Sequence, residues 1–374
     1  MPDDRCFLPD FGDRVTSSRS RLLILFLLVL GLWLAWFAIT RRASGSLVVY
    51  CTHDLVYAEP VLEEFTRQTG IKVTLVGDTE ATKSLGLIER LLREGDRSPC
   101  DLFWNNEVLG TIRLQRRGLL APYTGPASLR IPERFKDREG HWHGFAGRMR
   151  VWIVREGAMR VEDFPSSNGD SLAPPGSPSD AQPSTLIAQR SPLPSSRMAI
   201  AKPLYGTTFT QYAMLWHLHG AGQTQLEHLE LVEQGCRFVA GNAMVRDMVA
   251  GGSCDFGMTD TDDVFAARDA GFKVDMHPIR IDGKTLCIPN TVALLRNSDR
   301  PDDARRLLEY LLSEEVEWQL AKTARQIPLG VVQPEKIPEE VRPLVEWAAE
   351  SWNVADAADV AEACLEWLKS EYAR

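Results

Sequence analysis

Acidic, amide and imidazole side chains recur at one kind of place in this sequence: the short polar stretch between an apolar run and a helical pattern. Thr52-His53-Asp54 follows LVVYC, Gly77-Asp78-Thr79-Glu80 follows IKVTLV, and Asn105-Asn106-Glu107 follows DLFW. Farther on, Lys202–Thr208 follows MAIA, and Thr259-Asp260-Thr261-Asp262-Asp263 follows CDFGM. Converging on one cleft, these loops would surround a small ligand. The binding candidates are His53, Asp54, Thr79, Glu80, Asn106, Glu107, Thr207, Thr208, Asn242, Asp260, Asp262 and Asp263. The acidic loops favour a cation, while Thr207, Thr208, Arg148 and Arg150 leave an anion open.

Such loops need a scaffold that brings them together. Each unit reads as strand, loop and helix, and the helical patterns stop at Gly70, Gly95, Gly118, Gly220 and Gly271. Strand–loop–helix in succession predicts parallel strands with crossover helices. In open parallel sheets ligands bind outside the carboxyl ends of the strands, where all these loops lie. The units fall into two groups, so the expected fold is α/β with two lobes facing across a cleft. The expected boundaries are 47–147 for lobe 1, 148–290 for lobe 2, and 291–374 for a return to lobe 1 with C-terminal helices. Arg150–Val154 and Thr291–Leu295 are the hinge candidates. Pro165–Ser196 holds seven Pro and nine Ser in 32 residues, and reads as a disordered insertion in lobe 2.

Composition narrows the function classes. The chain has 374 residues, 44% hydrophobic and 25% charged, which suits about two folded domains. Asp+Glu at 51 outnumber Lys+Arg at 42, so a general nucleic-acid binder is excluded for want of a basic footprint. Seven cysteines without a C-x-x-C spacing make neither a disulfide scaffold nor a zinc ribbon.

Leu22–Ile39 is an uncharged apolar stretch of 18 residues, preceded by Arg14, Arg19 and Arg21. It reads as an inner-membrane anchor over 22–40, with 1–21 in the cytoplasm and the remainder on the periplasmic side. A cleaved signal segment, leaving a soluble periplasmic protein, is the alternative.

Several segments together carry a family likeness: VVYCTHD…VLEEFTRQTGIKV, CDLFWNNE…LQRRGLLAPY, GFAGRMRVWIV, MAIAKPLYGTT, CDFGMTDTDD, IPNTVALL and ARRLLEYLLSEE. Over about Leu47–Leu329 the chain resembles the periplasmic solute-binding proteins of ABC importers, in the branch with the ferric-ion-binding proteins. The resemblance implies two lobes closing on a solute, with a permease and its ATPase as partners. Ferric-binding members ligate the metal with a His and a Glu from one lobe and two adjacent Tyr from the other. His53 and Glu107 stand for the first pair, and Asp262-Asp263 stands where the tyrosines would be. The implied metal set is therefore His53, Glu107, Asp262 and Asp263, whose hard oxygens and one imidazole suit iron or another first-row metal as the transported solute. The members' accompanying anion sits near a small-residue helix start, which Gly206-Thr207-Thr208 resembles.

Two other readings remain. One is a membrane-anchored ligand sensor without transport. The other is a cleft enzyme of thiaminase-like type using Cys51, which would need a thiol of lowered pKa. Two further motifs carry little. Gly77–Ser84 nearly matches a phosphate loop, but Thr82 replaces its second glycine and Asp78 and Glu80 would repel phosphate. His141-x-His143 reads as a solvated turn.

Overall fold

The computed structural model describes residues 45–78, 85–158 and 195–373. The chain divides into two units, Met1–Gly45 and Ser46–Arg374, and apart from Gly45 the described residues belong to the second. The expected anchor at Leu22–Ile39 and nearly all of the Pro/Ser-rich segment lie outside the described residues. Among the described residues no helix is long and apolar enough to cross a membrane.

The first lobe is built on the predicted repeat. Strand β1 (Leu47–Cys51) lies between β2 (Val73–Gly77) and β3 (Leu102–Asn105), parallel to both. Helices α1 (Leu55–Thr69), α2 (Leu85–Glu94) and α3 (Leu109–Arg116) follow the three strands. Helix α1 stops at Gly70, whose φ of 73° is a left-handed C-cap that a side chain would strain.

One strand belongs to both lobes. The 13-residue β4 (His143–Arg155) is buried along its length except for Arg155. Its first half pairs antiparallel with β9 (Cys287–Leu295), which in turn pairs with β3. From Arg150 onward it lies between β7 (Phe256–Asp260) and β8 (Val274–Pro278). Strands β5 (Met198–Ala201) and β6 (Arg237–Val239) extend that second sheet, in the order β2-β1-β3-β9-β4-β7-β5-β6 overall. The chain therefore passes between the lobes at Met149–Arg150 and, on the neighbouring strand, at Cys287–Ile288. The register shifts between Ile288 and Asn290, and Ala146 has φ of 44°. A bulge here bends the strand and re-aims the side chains that follow it, among them Arg148 and Arg150.

Helices α4 (Gly206–His219), α5 (Ala221–Glu233), α6 (Asn242–Ala250) and α7 (Thr261–Asp269) complete lobe 2. Thr207 through Trp216 of α4 are all buried, because the chain end covers its outer side. Residues Val354–Asp359 pack on both α3 and α4, and the last helix (Ala361–Tyr372) packs along α4. Between lie α8 (Pro301–Leu311), α9 (Glu314–Ala324) and α10 (Arg342–Ala349); α11 is Ala361–Tyr372. Ser195, expected inside the disordered insertion, is instead buried, and its hydroxyl donates to Gln234 Oε1 at 2.6 Å. The polar side chain finds a partner at the end of α5, so Ser195 belongs to the folded lobe rather than to the insertion.

Candidate functional site

The lobe 2 wall is one polar network at the carboxyl end of β7. Asp260 is the last residue of β7, and Asp262 and Asp263 lie in the first turn of α7, where the helix dipole favours negative charge. One oxygen from each of these three carboxylates lies within 4.8 Å of the others, the group of acidic side chains among the described residues best placed to hold a metal ion. Burial pushes both Asp262 and Asp263 well above the ordinary carboxylate range. Arg148 opposes that for Asp262, while Asp263, Asp260 and Asp54 reinforce it. For Asp263 the Asp260 charge reinforces it, against a hydrogen bond from Thr259 and the Arg246 charge. Asp263 accepts the Thr259 hydroxyl at 2.7 Å.

Thr207, Thr208 and Asn242 join the same network. Thr207 Oγ1 donates to Asp260 Oδ2 at 2.6 Å, and Asn242 Nδ2 donates to the same oxygen at 2.9 Å. Thr208 Oγ1 donates to Asn242 Oδ1 at 3.2 Å. All six lobe 2 candidates thus come together.

Two arginines stand at the crossing. As residues i and i+2 of a strand they share a face. The fully buried Arg150 donates from Nη1 to Asp260 at 2.8 Å and from Nε to Gln211 at 2.9 Å. Arg148 is held among carboxylates, chiefly Asp262 at 3.8 Å, and its Nη2 donates to the Asn106 carbonyl of lobe 1.

Lobe 1 presents Asp54, Asn106 and Tyr57 to this wall. Asp54 occupies the N-cap position of α1, yet its side chain makes no cap hydrogen bond. Its charge is felt by Asp262, Arg148 and Tyr57 instead. Tyr57 is pushed above the usual phenol range by burial, and then by Asp262 and Asp54. Its place one turn into α1 was the only signal that could have named it.

The structure does not bring His53 and Glu107 into the carboxylate group. His53 is buried, with Nδ1 accepting the Asp54 backbone N–H at 2.6 Å and Nε2 lying 2.8 Å from the Gln326 amide. Its ring meets Trp104 edge-on at 5.5 Å. Glu107 is turned toward α3, accepting the N–H groups of Leu109 at 2.6 Å and Gly110 at 2.7 Å. These are orphan donors of a helix start, which a carboxylate satisfies well. Burial nonetheless pushes its pKa up. Thr79 and Glu80 lie outside the described residues.

Cys51 does not have the chemistry of a nucleophile. It is fully buried on β1, and burial pushes its thiol up to about 12. A reactive cysteine needs the opposite shift and access to solvent. His143 opens β4 fully buried, and burial lowers its pKa to about 4, while His141 sits in the preceding turn 2.8 Å from Asp137.

The family model for bacterial extracellular solute-binding proteins matches residues 47–323. The chain is 26% identical to the Fe(3+)-binding periplasmic protein of Serratia marcescens over 195 residues, 50% of this chain and 56% of that protein. That match spans only about half of the Serratia protein's length. It is 24% identical to the major ferric iron-binding protein of Neisseria meningitidis, covering 77% of this chain and 82% of that one. Among solved structures, iron-bound HitA from Pseudomonas aeruginosa superimposes with a TM-score of 0.72 at 19% identity, over 86% of this chain and 99% of that chain. At that identity the likeness shows the two-lobed fold alone.

Proposed function

This chain belongs to the bacterial extracellular solute-binding proteins, and from that premise we propose that it serves an ABC importer by capturing a hard first-row metal cation between its lobes. The family binds solutes and does not transform them, which agrees with the inert Cys51. The observation that carries the cation reading is the convergence of Asp260, Asp262 and Asp263 within 4.8 Å. Asp54 adds a fourth carboxylate from the opposite lobe. Like charges held this close are costly unless protons or a cation neutralise them. The relatives named above are called ferric-iron-binding proteins, which makes iron the first ion to test.

In this reading an ion reaches Asp262 and Asp263, displaces their protons, and gains the Asp54 side when the lobes close about the β4–β9 crossing. The ion favours the closed state because only that state supplies oxygens from both lobes. The closed form would then be the one a permease and its ATPase receive. The proposed metal set is Asp54, Asp260, Asp262 and Asp263, in place of His53 and Glu107. A small organic cation is the second reading. Arg148 favours it, since a guanidinium already rests against these oxygens.

A thermal-shift screen with iron, manganese, zinc, a polyamine and thiamine tests both, on wild type and on Asp262→Ala/Asp263→Ala. Stabilisation by a metal, lost in the double variant, supports the proposal. Stabilisation by a polyamine or thiamine alone would make the metal reading wrong. With Asp262 and Asp263 in the tyrosine positions, the ferric complex should lack a strong visible phenolate band. A band that disappears in Tyr57→Phe would instead put the Tyr57 phenolate on the ion. The proposed anchor has its own test: the mature N-terminus should be Met1 in the membrane fraction, whereas one near Ser44 in soluble protein identifies a signal segment.

A further inference from the structure

We infer that the Asp260 carboxylate is the cleft's own built-in anion, which fills the corner at the start of α4 and restricts the solute to a cation needing no free anion beside it. This rests on the reading of the cleft as a cation site and names what sets its selectivity.

The corner is assembled from donors. Thr207 sits in the first turn of the 14-residue α4, where the dipole is positive. The Asn242 amide and the buried Arg150 guanidinium converge on the same point. A cationic fork, an amide, a hydroxyl and a helix start in one place are the equipment of a phosphate or carboxylate site. Here a carboxylate of the chain already occupies it. Asp260 is only 3% exposed and accepts from Arg150 at 2.8 Å, Thr207 at 2.6 Å and Asn242 at 2.9 Å.

Strand register puts it there. Arg150 and Asp260 are direct cross-strand partners on β4 and β7, so the pair is fixed by the sheet rather than by a mobile loop. The expectation of a free anion beside Gly206-Thr207-Thr208 is thereby changed. An incoming anion would have to displace a carboxylate that makes three hydrogen bonds. The Arg150 charge is cancelled internally, which leaves Asp54, Asp262 and Asp263, set against Arg148 and Arg246, to fix the sign of the site. The arrangement gives Asp260 a second use, as a third oxygen beside those two.

The test uses the full chain and inorganic phosphate, with no metal in any arm. Wild type should show no change in Tm with millimolar phosphate. Asp260→Ala empties the corner and leaves Arg150 Nη1 only its 3.4 Å contacts to Thr207 Oγ1 and Asn242 Oδ1, beside an Nη2 without a hydrogen-bond partner among the described residues. It should therefore acquire a phosphate-dependent rise in Tm of a few degrees. A rise in the wild type, or none in the variant, overturns the inference. A buried arginine that has lost its counter-ion could keep Asp260→Ala from folding in phosphate-free buffer. Refolding in phosphate then decides: recovery of the native circular dichroism supports the inference, and no recovery overturns it. Arg150→Gln/Asp260→Ala, lacking both charges, should not respond to phosphate. Because no arm contains a metal, this outcome and that of the cation screen are read separately.

Discussion

Arg148 and Asp262 face each other across 3.8 Å at the point where β4 passes from one lobe to the other. The same guanidinium bonds the Asn106 carbonyl of lobe 1, so one side chain touches both walls of the cleft. Arg148 acts as a resident cation that tempers the repulsion among Asp54, Asp260, Asp262 and Asp263. Arg148→Met should therefore destabilise the solute-free protein, by about 1–3 kcal/mol for a buried charge-assisted pair. It should enlarge the Tm rise produced by a bound cation, because the carboxylates lose their internal counter-ion. Denaturant melts with and without the ion check both. A cation response abolished by the substitution would make Arg148 part of the solute contact instead.

Protonation gives a second prediction. The folded-state pKa of Asp262 is raised from 3.8 to about 8, mainly by burial. A raised carboxyl pKa favours folding fully below the unfolded value and loses that contribution as pH climbs through the folded one. The solute-free protein should thus lose stability between about pH 4 and pH 8. Cation binding should strengthen over the same range, as fewer protons compete. The gap in Tm between loaded and empty protein should widen with pH. Asp262→Asn should flatten both curves and stabilise the empty protein at pH 8 by about 1–2 kcal/mol.

A third prediction separates neighbours one residue apart. Asp54→Asn should weaken cation binding tenfold or more, roughly the 1.4 kcal/mol expected for a lost facing charge, with little loss of stability. His53→Ala should do the reverse. It removes a ring packed on Trp104 and leaves the Gln326 amide without that partner, so Tm falls while the affinity of the folded protein is kept. Calorimetric titration beside thermal melts distinguishes the two. A loss of affinity confined to His53→Ala would restore the imidazole to the ligand set.

The chain end supplies the fourth. Leu368 is fully buried where α11 covers α4, and Val354 and Ala357 are buried where the preceding turn meets α3 and α4. Leu368→Ala should cost about 2–5 kcal/mol as a core cavity. Removal of residues 350–374 should expose α4 and broaden the thermal transition. Truncated protein that melts like the full chain would show that the segment is a surface addition.

Much of this molecule was legible from local pattern. Alternation of apolar runs and helical periods reflects which faces must be buried, and burial is written residue by residue, so the repeated strand–loop–helix units and the polar loops at their ends could be read directly. Asp260, Asp262 and Asp263 could be read too, because three carboxylates spaced around a strand end and a helix start stay together whatever the rest of the chain does. What tertiary structure alone decided was where loop side chains turn. His53 and Asp54 are adjacent in sequence, yet one ring packs against Trp104 while the other group's charge reaches Asp262; likewise Glu107 caps α3 while Asn106 meets Arg148. A single φ/ψ change at a loop exchanges such neighbours, and no periodicity records it. The Arg150–Asp260 pair was equally hidden, because its members lie 110 residues apart in the chain and meet only through the register of β4 on β7.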